Sequence, residues 1–408
     1  MTVLDMRVAG ARRRATDLPW RPSRADFGQR AAAAAAVAAA HAEAVDRDGR
    51  FPAEAIDALR AQGLMSIMVP ATLGGEAAPL GAVADVCYAL GRACASTAMI
   101  YAMHQTKVAC LVRHGRGSPY HERLLRRLGI QQLLLASSTT EGNGGGNVRA
   151  SAAAVAEADG RITLRREATV ISYGAEADGV VTTARRSADA PASDQVLIAF
   201  LKEDYLLERI QGWETLGMRG TCSAGFVLTA AGEAEQIVPE PYETIHARTM
   251  TPTAHVLWSS VWAGIAAAAV ERARAFTRTA ARKAGGQLPP GAAHLTEANA
   301  SLATLRALIA AALRRYEAIA NDGRALSALD FQTEINLLKV DASERAVATV
   351  MSAMRAAGLA GYRNDGEFSI GRHLRDILSS PVMISNDRIR ASVATGALMA
   401  GTPASLAD

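Results

Sequence analysis

Three clusters of residues carry the chain's best candidates for chemistry. The first is Thr140-Glu141-Gly142-Asn143-Gly144-Gly145-Gly146-Asn147. A glycine-rich run after a strand lets backbone N–H groups approach an anionic or electron-rich group closely. Taken alone, the same run also reads as a flexible loop. The second is Arg219-Gly220-Thr221, a cation and a hydroxyl either side of a glycine. The third is Arg375-Asp376, followed by Ile384-Ser385-Asn386-Asp387-Arg388. An arginine such as Arg388 suits a diphosphate, and it serves equally well as a surface charge. His104 sits on an apolar helical run beside Tyr101 and Met103, which is the pattern of a core histidine more often than of a catalyst. Cys87, Cys94, Cys110 and Cys222 show no metal-ligand spacing, and the first three read as buried thiols.

Composition bounds the scaffold that must hold these clusters. The 408 residues suffice for two or three domains, and half are apolar. Alanine dominates the apolar set and aromatics are only 5%, which favours packed helices over an all-β architecture. The net charge of +4 is partly local, with Arg7, Arg12, Arg13 and Arg14 in a solvated arm. No aromatic-interleaved basic patch accompanies them, so nucleic acid is not an expected partner. There is no apolar run of signal-peptide or membrane-spanning length, and no disulfide framework. A reducing cytoplasm is the expected compartment, with no membrane association.

The pattern changes twice along the chain. Residues 1–22 read as a basic tail and 23–130 as a helical domain. In the latter, a helix starts near Ser23 with Asp26 as a capping partner, Phe51-Pro52 opens a second, and others fit 80–93, 96–114 and 119–128. Residues 131–245 read as an antiparallel β-domain. Its strands are Leu133–Ser138, 148–157, 161–168, Val180–Ala184, Gln195–Leu201 and Gly225–Ala230, with Asp159-Gly160 as a hairpin signal. Residues 246–408 read as a bundle of four long helices, Thr253–Lys283, Thr296–Ala320, Phe331–Gly358 and Ser369–Ala400. The fold class is α+β.

Helices, β-domain and four-helix bundle in that order resemble the acyl-CoA dehydrogenase family, and five runs agree. Phe51-Pro52-x-Glu54 with Gly63-Leu64 and Val69-Pro70-x-x-x-Gly74-Gly75 resembles the family's N-terminal pattern. Thr140–Asn147 resembles its Thr-Glu-Pro-Gly-x-Gly-Ser-Asp loop. Val170-Ile171-Ser172-Tyr173-Gly174 resembles its Trp-Ile-Thr/Ser-Asn-Gly segment, and Gly217-Met218-Arg219-Gly220-Thr221 its Gly-x-Arg-Gly-Ser segment. Residues 375–389 resemble its C-terminal signature. The resemblance covers about residues 26–400. It implies FAD bound between β-domain and bundle, an acyl thioester substrate on coenzyme A or a carrier protein, and a dimer or tetramer. An electron-accepting flavoprotein or a flavin reductase would be the redox partner.

Carried over residue by residue, the resemblance gives Thr140 to the flavin's pyrimidine edge and Ser172 to its N5. Gly146 replaces a serine that reaches the pyrophosphate or substrate. Val170 replaces a tryptophan that shields one flavin face. Arg282, Arg355 and Gly358 align with residues that touch a neighbouring subunit's cofactor. Asn386 and Arg388 replace residues that reach the adenosine, and Arg219 and Thr221 fall in the substrate-side segment.

The chain departs from the family at its catalytic position. The glutamate that takes the substrate's α-proton aligns with Ile384, and the alternative site in some relatives aligns with Ala254. A general base is worth about 10²–10⁴-fold. Either Asp387, Glu141 or His255 replaces it, with Asp387 the first candidate, or the reaction does not begin with proton removal. Some proteins on this scaffold are flavin-dependent monooxygenases that dispense with the glutamate. α,β-Dehydrogenation of an acyl thioester is therefore the first expectation and monooxygenation the alternative. A non-redox, nucleic-acid-associated relative comes third.

Overall fold

The structure is a computed structural model that describes residues 26–141 and 150–399; Gly146 lies outside the described residues. Helix α1, Phe27–Asp48, starts where the Asp26 side chain accepts the Gln29 N–H at 2.7 Å. Its buried stripe is Ala31, Ala34, Ala38, Ala42 and Val45, the spacing of one helical face. Helices α2 (Ala53–Ala61), α3 (Leu80–Ala93), α4 (Ala95–His114) and α5 (Pro119–Gln131) follow. Small residues let α3 lie close against the bundle. A Cβ on Gly91 would sit 2.5 Å from the Val261 carbonyl.

Seven strands come next: β1 (Leu135–Ser138), β2 (Ala156–Ala158), β3 (Arg161–Ile171), β4 (Gly179–Arg185), β5 (Gln195–Leu201), β6 (Tyr205–Gln211) and β7 (Ala224–Glu233). They form two sheets, ordered β1-β4-β5 and β2-β3-β7-β6. All pairs are antiparallel except β1 with β4, which run parallel. Strand β3 alternates outward and inward residues, as a sheet with one wet face requires. The β3–β7 register shifts between Ala168 and Ile171 and resumes at Ile171 opposite Ala224. One step further, that register places Ser172 opposite Ser223.

Helix α6 (Tyr242–Ile245) runs through a wide turn at His246–Met250 into α7, Thr251–Lys283. Helix α7 is the central pillar, packed against α3 and α4 on one side and against α8 (Ala292–Ile319) and α10 (Leu329–Tyr362) on the other. The stretch Tyr242–Lys283 is long and apolar enough to cross a membrane, and the fold encloses it as a core helix. Short α9 (Gly323–Ser327) precedes α10, and Gly358 breaks α10 near its end, at φ 57° and ψ −140°.

Three sequence expectations need correction. The strand expected over 148–157 is short β2, with only an isolated bridge at Ala154 before it; residues 148 and 149 lie outside the described residues. Strand β6 was not anticipated, because it is an edge strand whose residues after Tyr205 are mostly exposed, so it lacks alternation. The long helix expected over Ser369–Ala400 is two helices, α11 (Gly371–Ile377) and α12 (Asn386–Met399). Pro381 interrupts the helical ladder between them, and Ile384 takes a left-handed conformation, φ 48°.

Candidate functional site

Ser172 and Thr221, distant in sequence, are joined by a third hydroxyl. Ser223 Oγ lies 2.8 Å from Ser172 Oγ and 2.7 Å from Thr221 Oγ1, and Thr221 Oγ1 lies 2.8 Å from the Met218 carbonyl. Thr221 and Ser223 are buried and Ser172 is half-buried. The turn that carries them is tightly seated. A Cβ on Gly217 would fall 2.1 Å from the Arg375 carbonyl, and one on Gly220 would fall 2.2 Å from Val45 Cγ1 and 3.1 Å from Ser96 Cβ. Close approach therefore explains both glycines of the Gly-Met-Arg-Gly-Thr run. Met218 within that run and Cys222 just after it are left-handed at φ 55° and 47°, as is Tyr173 at 44°. Non-glycine residues rarely adopt that region, and such strain gathers at functional sites.

The C-terminal signature is the strap that holds this turn. Buried Asp376 accepts the Met218 N–H at 2.7 Å, and burial pushes its carboxyl up to about 6. Arg375 pairs with Asp46, and Arg372 with Glu43 at 3.2 Å, so α11 is bolted to α1. Beyond α11 the strap enters the bundle. There Lys339, with no exposed surface, donates to Ser380 O at 3.0 Å, Ile384 O at 2.8 Å and Asn386 Oδ1 at 2.7 Å. Its ammonium lies 5.7 Å from the Trp262 ring centre. Burial pushes its pKa down to about 7. Lys339 was not anticipated. Its signal was a lysine inside the apolar stripe Phe331, Ile335, Leu338, Ala342 of α10.

The base candidates fare badly. The Asp387 side chain is 95% exposed, and its nearest cation is Arg390 at 3.5 Å. That carboxylate is turned to water, and no described contact sets it beside the Ser172 cluster. Glu141 is buried and fully engaged, accepting from Ser151 Oγ at 2.7 Å and Ala152 N at 2.6 Å and pairing with buried Arg166 at 3.1 Å. His255 bonds the Ile335 carbonyl at 2.9 Å, and burial lowers its pKa to about 4. Ile384 is half-buried and presents no titratable group. His104 accepts the Leu135 N–H at 3.0 Å and bonds Met65 O at 2.8 Å; it pins β1 to α4.

The cofactor and substrate expectations also divide. Asn386 is buried against Lys339, Ser343 and Glu344, its Oδ1 accepting from Lys339 and its amide donating to Ser343 Oγ and Glu344. Arg219 Nε donates to Asp46 O at 2.7 Å and its Nη1 pairs with Glu214 at 2.7 Å, which makes it a clamp on the turn. Arg388 lies on the exposed side of α12's first turn. Arg282 and Arg355 are exposed. Sixteen residues separate Arg355 from Lys339, so it lies ~24 Å further along α10. Thr140 is half-buried just past β1.

Comparison with known proteins resolves the scaffold. The acyl-CoA dehydrogenase N-terminal domain matches residues 28–128, and the acyl-CoA dehydrogenase C-terminal domain matches residues 252–384. The chain belongs to the acyl-CoA dehydrogenase family. Its similar relatives within that family include the amino sugar nitrososynthase DnmZ of Streptomyces peucetius, 25% identical over 359 residues, covering 83% of this chain and 84% of the relative. The cyclohex-1-ene-1-carbonyl-CoA dehydrogenase of Geobacter metallireducens is 25% identical over 363 residues, covering 87% and 92%. Among solved structures, KijD3 in complex with FMN and a dTDP-amino-keto sugar shares the fold, with a TM-score of 0.80 at 23% identity, covering 95% of this chain and 96% of that one.

The acyl-CoA dehydrogenase family consists of flavin oxidoreductases, and the residues present fit a flavin. Its pyrimidine edge and N5 need hydrogen-bonding partners. Ser138 Oγ, at the end of β1 beside Thr140, is buried with no hydrogen-bond partner among the described residues. A buried hydroxyl without a partner is rare unless a ligand or water completes it. Tyr173 Oη reaches the Leu135 carbonyl at 3.1 Å, which ties the Ser172 turn to β1 and so to Ser138. Val170, 37% exposed, stands near the end of β3, shortly before Ser172.

Proposed function

We propose that the protein is a flavin-dependent monooxygenase on the acyl-CoA dehydrogenase scaffold. One observation carries the reading: position 384 is isoleucine, and Asp387, Glu141 and His255 are each hydrated or engaged elsewhere. Proton abstraction without a base forfeits about 3–5 kcal/mol, whereas oxygen transfer has no such requirement. A reduced flavin held there would supply the two electrons, and with them the two hydrogens, that let one atom of dioxygen enter the substrate while the other leaves as water.

The chain's own residues bind and enclose. Ser172 would meet the flavin N5, while Thr140 and Ser138 would meet its pyrimidine edge. Ile384 is an apolar wall over the substrate, and Arg219 holds the turn without touching it. FAD is the cofactor the family suggests; Arg282, Arg355 and Gly358 serve a neighbouring subunit's diphosphate. Exposed Met351, Leu359 and Tyr362 surround Arg355 and Gly358, an apolar surface of the kind subunits bury. The assembly is a dimer or tetramer, supplied with reduced flavin by a separate reductase. Light scattering should give a multiple of 42.7 kDa; a monomer that still holds flavin refutes the assembly.

The intact Gly-Met-Arg-Gly-Thr turn favours a second reading, α,β-dehydrogenation of an acyl thioester. One experiment separates the two. The protein loaded with oxidised FAD is mixed without oxygen with a panel of acyl-CoA and acyl-carrier thioesters, and flavin absorbance is followed. Monooxygenation predicts no bleaching with any of them. Substrate-dependent oxygen uptake when reduced flavin is fed in air completes the case. Bleaching by any thioester restores the dehydrogenase.

A further inference from the structure

The chain Ser172–Ser223–Thr221–Met218 O has three hydrogen bonds and three hydroxyl protons. Each hydroxyl donates once and accepts twice. Two arrangements exist, and the geometry between Ser223 and Ser172 has Ser223 as the donor. In one, the Ser172 hydroxyl turns inward to donate to Ser223, Ser223 donates to Thr221 and Thr221 to the Met218 carbonyl. All three bonds are filled, and Ser172 offers only lone pairs outward. In the other, every proton turns the opposite way. Thr221 donates to Ser223, Ser223 to Ser172, and Ser172 points its proton outward.

The second arrangement withdraws a donor from Met218 O, yet that carbonyl is not stranded. It keeps the Trp213 indole N–H at 3.1 Å and the Thr221 amide at 3.1 Å. The two polarities are therefore close in energy, since neither leaves a buried acceptor unmet. Burial of Ser223 and Thr221 keeps water from completing either one in their place. Half-buried Ser172 is the open end.

We infer that Thr221, Ser223 and Ser172 form a reversible hydrogen-bond relay that lets the Ser172 hydroxyl meet one ligand nitrogen as donor or as acceptor. The matching ligand is one whose nitrogen gains a proton during the reaction. A flavin is such a ligand: N5 accepts a hydrogen bond when oxidised and carries N–H when reduced. The inference rests on the reading that a flavin lies against Ser172. Thr221 and Ser223 are positioning residues that act through Ser172, and Thr221 is thereby reassigned from substrate contact.

The test is Thr221→Val. Valine keeps the shape but cannot accept from Ser223, so the Ser223 proton is driven onto Ser172 and the outward-donor polarity is locked. Affinity for oxidised and for dithionite-reduced FAD is measured by titration, the latter without oxygen. The expected result is unchanged binding of oxidised FAD and about tenfold weaker binding of the reduced form. For a two-electron couple that is a reduction potential about 30 mV lower. Thr221→Ser restores the hydroxyl and should restore the ratio, which a role in packing alone would not. In a Ser223→Ala background Thr221→Val should have no further effect on the ratio, because the wire is already cut. Equal losses in both redox states, no loss in either, or the same shift without Ser223 overturn the relay. Failure of the unaltered protein to bind either form overturns the flavin reading, and the relay with it.

Discussion

Replacing Lys339 by methionine separates global stability from the order of one loop. The change removes three charge-assisted hydrogen bonds, to Ser380 O, Ile384 O and Asn386 Oδ1, each worth roughly 1.5–3 kcal/mol. It also removes a buried ammonium. A depression from 10.5 to about 7 corresponds to about 5 kcal/mol of unfavourable burial. The two terms largely cancel, as they often do when a buried charge gives way to an apolar side chain, so the melting temperature should move only a few degrees. The loop does not share in this cancellation. Ile384, β-branched and left-handed, carries strain of roughly 1–2 kcal/mol that the Lys339 ammonium holds in place. Without that ammonium, local opening should be easier by roughly 2–3 kcal/mol, hence about 30- to 150-fold faster amide exchange over residues 379–385. Hydrogen–deuterium exchange read by mass spectrometry measures this directly. The pH dependence gives a second check. Above about pH 7 folded Lys339 loses its proton, while the unfolded chain keeps it until about 10.5. The unfolded state then binds more protons, so this group raises stability as pH climbs through that window, even as a neutral amine weakens its hold on the loop. A large fall in melting temperature with unchanged exchange at 379–385 would refute the reasoning and make Lys339 a simple core strut.

Asp376→Asn should keep the melting temperature at pH 7, because an amide oxygen still accepts the Met218 N–H. The native carboxyl, raised to about 6, contributes stability that is full below its ordinary range near 3.8 and lost as pH rises through 6. The variant should therefore flatten the thermal-denaturation profile between about pH 4 and 6, and a profile identical to the parent's would contradict this. Glu141→Gln leaves the buried Arg166 guanidinium without a counter-charge and should cost about 3–5 kcal/mol in urea denaturation; a change below about 1 kcal/mol would show that Arg166 finds another partner. Asp387→Asn should leave both stability and turnover as they were, and a tenfold loss of turnover would return Asp387 to the list of bases.

Periodicity made the long helices and most buried strands readable, because their burial follows a period that the residues express. Strand β6 was not readable, since an exposed edge carries no alternation. The strap was hidden for a different reason. Pro381 marks an interruption, but what organises residues 378–386 is Lys339, some forty positions earlier, and no local pattern reports a contact at that separation. The site residues divided in the same way. Ser172 and Thr221 stood out by their motifs, while Ser223 became visible only once the β3–β7 register set it opposite Ser172. Asn386 and Asp387 were neighbours in sequence with similar promise. The first turn of α12 sends one into the bundle and the other into water, and only the three-dimensional phase of that helix decides which.

The strap also dictates the order in which the molecule can be finished. Met218 waits for Asp376, 158 residues later, and Asp46 waits for Arg375, 329 residues later. Contacts of such span close late, because chain entropy must be overcome before they return any stability. The first helices and the sheets emerge from the ribosome and collapse long before α11 exists. During that interval the Gly217–Ser223 turn lacks its staple, and its left-handed residues have nothing to hold them. Synthesis interrupted before residue 371 therefore yields a chain with most of its core in place and an unfinished pocket. Such a product would be hard to tell from the native protein by its helix content, and easy to tell by its failure to retain a ligand.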